Sequence, residues 1–321
     1  MTHVAEMSDR LNSPDVATEA LEFAWRKLPA TMRFAVAPFG IATLVSFVVV
    51  SIVSLVAVAL TGEGEVIDQA TSFTVGVLTV LALVPLWILA SSRVMVDVYR
   101  LVAKGEDTGS WFKIAIDGPV LRVAAAYFFM LFVGAFVFLT ACLLTQGITG
   151  RSIAGAIGAL GAFIEWQSSI DPAAYDTMPQ PPPDLLAKIE NASVLIVMAV
   201  ALAAPVNLFF TAKLVTLPPI AALENELALR RAFQMTQGHA WSVFGTMVLL
   251  FVASVAVSGI TSLGTNALDF AASAFRSMGV TGIFLAVFFS GLSVTATIAL
   301  QLFNIGMQGA FGGIVYRQLA D

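Results

Sequence analysis

Six long apolar runs constrain this chain more than any other feature of its sequence. A bilayer core about 30 Å thick is crossed by roughly 20 residues of α-helix, whereas β-strands usually have only about 3–10 residues. The runs therefore predict an all-α, polytopic transmembrane helical bundle with six spans. These spans cover residues 34–60, 73–92, 119–145, 192–217, 243–262 and 281–305.

The composition agrees with a lipid environment. Of 321 residues, 58% are hydrophobic and 12% are charged, about half the charged fraction of a typical soluble domain. The charged side chains are too few to cover a water-soluble globule of this size. Basic blocks interleaved with aromatic residues are absent as well, which argues against nucleic-acid binding.

The basic residues give the orientation, because Lys and Arg of short loops stay on the cytoplasmic side. With six spans, 13 of the 16 basic residues fall on one side, so both termini are predicted to be cytoplasmic. A seventh apolar segment, 147–164, is short, rich in glycine and contains Arg151. Counting it as a span would destroy the charge bias, so it is interpreted as an interfacial or re-entrant segment.

Residues 1–33 form a cytoplasmic tail and an amphipathic helix before the six-span domain 34–321. Ser13 and Pro14 suit a helix start, and an apolar stripe at helical spacing follows. We expect this helix to lie flat on the cytoplasmic leaflet and to stop at Pro29, with docking on a partner helix as the alternative. The stripe comprises Ala17, Leu21, Ala24 and Leu28.

Two apolar runs end in the same way, with Tyr99-Arg100 and Tyr316-Arg317. Tyr and Trp favour the headgroup level of a membrane, and Arg reaches from there toward lipid phosphates. The predicted interfacial anchors are therefore Trp25, Arg26, Tyr99, Arg100, Trp241, Tyr316 and Arg317.

The connecting segments carry their own signals. Residues 220–242 look like a second cytoplasmic helix, in which Glu226 and Arg230 stand four apart and Gly238 ends the helix. The outer loop, 146–190, is acidic and contains Pro-rich residues that favour an extended chain. Its charge fits a site for a cation or a partner, or the ordinary charge bias of an outer loop.

Intramembrane polar residues are the default candidates for function. Pro205 removes a helix hydrogen bond next to Asn207, and Gln301 and Asn304 recur near helical spacing in the last span. They predict a candidate intramembrane polar site, with a structural kink and helix–helix hydrogen bonds as the alternative. Arg93 could form a salt bridge with Asp97 at the end of the second span.

The last span also carries a small-residue face. Gly306, Gly309 and Gly313 permit close helix packing, and Gly309 with Gly313 forms a GxxxG pair. The spacing leaves open whether this packing lies within one chain or between two copies.

Catalytic parts are missing from the sequence. The chain has two histidines and one cysteine, and we find no nucleophile–base motif, phosphate-binding loop or cluster of metal ligands. We therefore predict no enzyme activity, no cofactor, no catalytic residue and no metal site.

The stretch "ALRRAFQMTQGHAWSVFGTMVLLF", residues 228–251, resembles the membrane domain of some glycerophosphodiester phosphodiesterases and the related YciC-like proteins of bacterial inner membranes. "GGIVYRQLAD", 312–321, and "LEFAWRKLPATMRFAVAPFGIATL", within 20–45, are similar to the end and the beginning of that domain. The resemblance implies an inner-membrane bundle linked to lipids or the envelope. The phosphodiesterase activity of the fused proteins belongs to a separate soluble barrel, so no catalytic residue carries over.

These observations predict a non-enzymatic, multi-pass protein of the bacterial cytoplasmic membrane. Its expected role is that of an envelope accessory protein that binds membrane lipids, with another membrane protein or a second copy of the chain as alternative partners. A transporter or flippase for an amphipathic or neutral solute is the second hypothesis, with Pro205 and Asn207 near its path.

Overall fold

The computed structural model describes residues 11–61, 69–107, 111, 115–168, 170, 180–276 and 279–320, and these residues include no β-strand. Six of its helices are long and apolar enough to cross a membrane. The predicted all-α, multi-pass architecture is therefore confirmed. The helices are α1 (Ser13–Arg26), α2 (Leu28–Thr61), α3 (Gln69–Lys104), α4 (Gly118–Thr149), α5 (Ile153–Ser168), α6 (Pro183–Leu214), α7 (Leu217–Leu223), α8 (Leu229–Met235), α9 (Ala240–Arg276) and α10 (Gly279–Ala320).

Most of the long helices exceed the length that a bilayer requires. The 42 residues of α10 correspond to about 63 Å of helix, roughly twice the hydrocarbon thickness. Helices α3 and α10 continue beyond the predicted spans, α3 from residue 92 to Lys104 and α10 from residue 305 to Ala320. These extensions are less apolar than the spans but are stabilised by burial against protein, as Val98 and Ile314 show.

The chain forms two compact units. The first comprises Met1–Ala42, Trp87–Tyr127 and Thr211–Asp321, and the second comprises Thr43–Leu86 and Phe128–Phe210. The larger buried core lies in the first unit and includes Val94, Val98 and Ile314. In the second unit, small residues bring α4 and α6 together, namely Ala141, Cys142, Ala199 and Ala203.

Two predicted segments differ from the structure because a residue with a left-handed backbone interrupts each of them. Gly150, with φ +68°, separates the end of α4 from α5, so the segment predicted at 147–164 is a 16-residue helix at Ile153–Ser168. Asn225, with φ 62°, divides the predicted helix 220–242 into α7 and α8. Consequently Arg231 pairs with Glu224 at 2.5 Å, rather than Arg230 with Glu226.

Parts of two predicted segments lie outside the described residues. They are residues 1–10 of the predicted cytoplasmic tail and residues 169 and 171–179 of the acidic outer loop. The Pro-rich segment is described from Gln180, and Pro183 begins α6, a position where a missing N–H costs the helix nothing.

Candidate functional site

The glycine face of α10 (Gly306, Gly309, Gly312 and Gly313) packs against other parts of the same chain. A Cβ built on Gly309 would lie 2.6 Å from Val98 Cγ1, and one on Gly313 would lie 2.9 Å from Val102 Cγ1. A step of four residues along α10, from Gly309 to Gly313, matches a step of four residues along α3, from Val98 to Val102, so the two helices run parallel here. The lack of a side chain at these glycines allows the close approach.

Gly306 packs against the junction of the first two helices. A Cβ on Gly306 would lie 3.2 Å from Thr31 Oγ1 and 3.8 Å from Ala24 Cα. The junction is short, because α1 ends at Arg26, Lys27 forms the turn and α2 begins at Leu28. The predicted stop at Pro29 is therefore wrong, because α1 ends three residues earlier and Pro29 lies in the first turn of α2, where proline is tolerated. Gly306 consequently allows α10 to approach the position where α1 turns into α2.

The apolar side of α1 is covered by protein. Val16, Ala17, Ala20 and Ala24 are buried, and α1 packs against α9 and α10. The hydroxyl of Ser13 donates a hydrogen bond to the carbonyl of Ser242 at 2.7 Å. The expectation that the stripe rests on the lipid leaflet is therefore wrong: burying it against the two final helices removes the same apolar area from water.

A groove lies in the first unit between α1, the end of α3 and the end of α10. We call it the α1 groove; its volume is about 370 Å³. Its apolar part is lined by Phe23, Leu101, Val102 and Ile314, and its polar part by Glu19, Glu22, Arg26, Lys27, Gly105 and Arg317. An apolar surface beside charged groups is the pattern that an amphipathic ligand requires.

The charges of the α1 groove are mostly paired within it. Arg26 contacts Glu22 at 2.6 Å, and Arg317 contacts Glu19 at 2.5 Å. Arg317 also donates to the carbonyl of Val102 at 3.4 Å. Lys27 is exposed, and among the described residues it has no carboxylate partner. The groove therefore offers one uncompensated positive charge next to an apolar surface.

Two tryptophans present large apolar surfaces close to these elements. Trp25 at the end of α1 is 74% exposed, and Trp241 at the start of α9 is 81% exposed. The ring of Trp25 contacts Phe303 edge-on, with the ring centroids 6.5 Å apart. Both side chains are available to the membrane interface, and their role as anchors stays a prediction.

The tyrosines predicted as anchors make contacts within the protein instead. Tyr99 is only 3% exposed, and its hydroxyl lies 3.0 Å from that of Tyr127, so its prediction as an interfacial anchor is wrong. The hydroxyl of Tyr316 donates to Glu224 Oε1 at 2.6 Å, and Arg317 is held by Glu19. Tyr316 and Arg317 remain partly exposed, so their role as anchors stays a prediction. Arg100 is partly buried, and its role stays a prediction.

The predicted intramembrane polar site is divided between the two units. Pro205 and Asn207 belong to the second unit, and Gln301 and Asn304 to the first. Asn207 Oδ1 lies 3.7 Å from the Cβ position of Gly134 on α4. Asn304 Oδ1 accepts a hydrogen bond from Ser254 of α9 at 2.9 Å. Helix α6 continues through Pro205, and Gln301 is exposed.

One polar feature is more deeply buried than the sequence indicated. Arg93 and Asp97 form the predicted salt bridge, with Nη2 2.7 Å from Oδ2, which confirms their pairing. Their side chains are only 3% and 4% exposed. Helical spacing indicates the pair, but the burial depends on how α3 packs, so no local sequence signal reveals it.

The described residues contain no group of three or more His, Cys, Asp or Glu side chains that could hold a metal ion. No protein-family model matches the chain, and neither a curated protein nor a solved structure is detectably similar to it.

Proposed function

We propose that this multi-pass membrane protein is a non-enzymatic accessory protein of the bacterial inner membrane that binds an anionic phospholipid in the α1 groove. The observation that carries the proposal is the exposed charge of Lys27 beside the apolar lining of the groove. Such a site suits a ligand that has a negative headgroup attached to a hydrocarbon body.

The predicted topology supports this ligand. Lys27 lies on the side where the basic residues concentrate, which is the cytoplasmic side by the positive-inside rule. Anionic lipids give the cytoplasmic leaflet a negative surface potential, and each nearby Lys or Arg contributes about 1 kcal/mol of attraction. Trp25 and Trp241 add exposed aromatic surface of the kind that favours the headgroup level.

The same residues connect the proposal with the family resemblance. The segments similar to the YciC-like membrane proteins include the second half of α1 and the end of α10, both of which line the α1 groove. A link to membrane lipids is what that resemblance implies. The transporter alternative has less support, because Asn304 is already bonded to Ser254.

The proposal is tested with purified full-length protein and native mass spectrometry in the presence of phosphatidylglycerol or phosphatidylcholine. The wild-type protein should retain phosphatidylglycerol in preference to phosphatidylcholine. Lys27→Gln should weaken phosphatidylglycerol binding about fivefold, the equivalent of about 1 kcal/mol. Arg230→Gln is the matched control, because Arg230 is exposed on α8 and does not line the groove.

Equal retention of both lipids by the wild type would contradict the proposal. So would an equal loss of binding in Lys27→Gln and Arg230→Gln, because a general loss of positive charge would then explain the effect. If a membrane-protein partner were the true ligand, cross-linking from Trp25 or Lys27 would capture a protein, and lipid selectivity would be absent.

A further inference from the structure

The second unit contains a separate cavity with a different character. It is lined by the link from α4 to α5, the first turn of α5 and the second and third turns of α6, and its volume is about 360 Å³. We call it the outer cavity, because the predicted topology places this link on the non-cytoplasmic side. Its lining consists of Arg151, Ser152, Gly155, Ala156, Lys188, Asn191 and Ala192.

The charge of the outer cavity is unbalanced. Arg151 and Lys188 line it, no carboxylate does, and neither cation forms a salt bridge with any residue that the structure describes. The Nη1 atom of Arg151 is shielded from solvent and has no hydrogen-bond partner. A shielded guanidinium N–H is costly when it remains unpaired, so the cavity is electrostatically suited to an anion.

The clustering of these two residues is unusual for this chain. The predicted topology leaves only three basic residues on the non-cytoplasmic side, namely Arg151, Lys188 and Arg276. Two of the three line one cavity although 37 positions separate them in the sequence. The charge bias of a membrane protein requires few positive residues here and does not require them to converge.

Further donors complete the site. Asn191 supplies an amide, and Ser152 supplies a hydroxyl, whose oxygen lies 3.4 Å from the backbone nitrogen of Gly155. Gly155, Ala156 and Ala192 keep the remaining wall small and apolar. A phosphate group fits these features, because several oxygen acceptors can use two cations and two neutral donors together.

We propose that the outer cavity binds a phosphate group through Arg151 and Lys188. Two sources have this chemistry: the headgroup of a phospholipid in the outer leaflet, and free inorganic phosphate. The outer cavity shares no lining residue with the α1 groove.

The experiment uses full-length protein purified in detergent. One arm measures the binding of inorganic phosphate by isothermal titration calorimetry, and the other measures the retention of phosphatidylglycerol by native mass spectrometry. Arg151→Gln and Lys188→Gln should each lower the affinity for whichever of the two ligands binds by about tenfold or more, because a hydrogen bond to a charged group is lost. Lys188→Arg should retain most of the binding.

The controls separate this site from general charge effects and from the α1 groove. Arg230→Gln removes the same charge elsewhere, and Lys27→Gln tests the groove; both should leave binding of inorganic phosphate unchanged. In the lipid arm, Lys188→Gln should remove a bound phosphatidylglycerol that persists in Lys27→Gln. Lys188 is exposed, so its substitution should not disturb folding even if that of Arg151 does.

Two results would overturn the proposal. One is a wild-type protein that binds neither inorganic phosphate nor phosphatidylglycerol at the outer cavity. The other is binding of equal strength in the wild type and in Lys188→Gln, because the cavity would then not be the site. Binding of phosphate alone would identify the free anion as the ligand, and binding of the lipid alone would identify the headgroup; either supports the proposal.

Discussion

The packing of α10 against α3 should depend on the missing side chain of Gly309. The added Cβ of Gly309→Ala would lie 2.6 Å from Val98 Cγ1 and 2.9 Å from Met95 Sδ, distances that real Cβ atoms do not tolerate. Overpacking of this kind typically costs about 1–3 kcal/mol. In the opposite direction, Ala favours a helix over Gly by about 0.8–1.0 kcal/mol.

A glycine-to-alanine substitution elsewhere in α10 serves as a reference, because it gives the same gain in helix propensity as Gly309→Ala. A Cβ on Gly291 would meet nothing within 4 Å, so Gly291→Ala should gain the helix propensity without overpacking. The difference between the two variants should therefore equal the overpacking term alone, about 1–3 kcal/mol. At roughly 2–4 °C per kcal/mol, Gly309→Ala should melt about 2–12 °C below Gly291→Ala.

The assay is thermal unfolding of both full-length variants in the same detergent. Val98→Ala provides a further check, because it removes Cγ1, the nearest clashing atom. The double variant Gly309→Ala/Val98→Ala should be more stable than the sum of the two single effects implies, since contacting residues are energetically coupled. Equal melting temperatures for Gly309→Ala and Gly291→Ala, or strict additivity with Val98→Ala, would refute the close packing of these two helices.

Two further predictions concern buried polar contacts. Asp97→Leu alone should destabilise the protein by about 3–5 kcal/mol, because it leaves the charge of Arg93 buried without a partner, whereas Arg93→Met together with Asp97→Leu should recover most of that loss. Thermal unfolding of the single and double variants measures both effects. A double variant no more stable than Asp97→Leu would contradict this prediction. Ser254→Ala should lower the free energy of unfolding by only about 0.6 kcal/mol, the typical value for a hydrogen bond between membrane helices. In an Asn304→Leu background the same substitution should have little further effect on stability. An undiminished effect in that background would show that the two side chains do not interact.

The resemblance to known membrane domains stays a prediction, and the segments on which it rests are distributed over several elements. Residues 228–251 cover α8 and the start of α9, and residues 312–321 include the end of α10. Trp241, which is part of the first segment, is exposed, while the glycines of the second segment are buried against α3.

The sequence by itself determined the fold class of this protein, an all-α multi-pass bundle. Apolar runs are a local property, because each span must exclude its own backbone from water in a bilayer. The charge bias is a sum of the Lys and Arg residues in each connecting segment, so it predicts the topology without knowledge of any tertiary contact. The spacing of Arg93 and Asp97 likewise fixed their pairing, since residues four apart lie on one face of a helix.

The tertiary structure alone decided which side chains are buried and which converge. The sequence predicted Tyr99 and Tyr316 as equivalent interfacial anchors. In the structure, Tyr99 is buried beside Tyr127, whereas Tyr316 donates a hydrogen bond to Glu224. The GxxxG spacing of Gly309 predicted a close helix contact but did not indicate that Val98 would be its partner. Arg151 and Lys188 meet in one cavity only because α5 and α6 bring them together. Burial and convergence depend on which helices pack against each other, and that choice is made by the whole chain rather than by any segment of it.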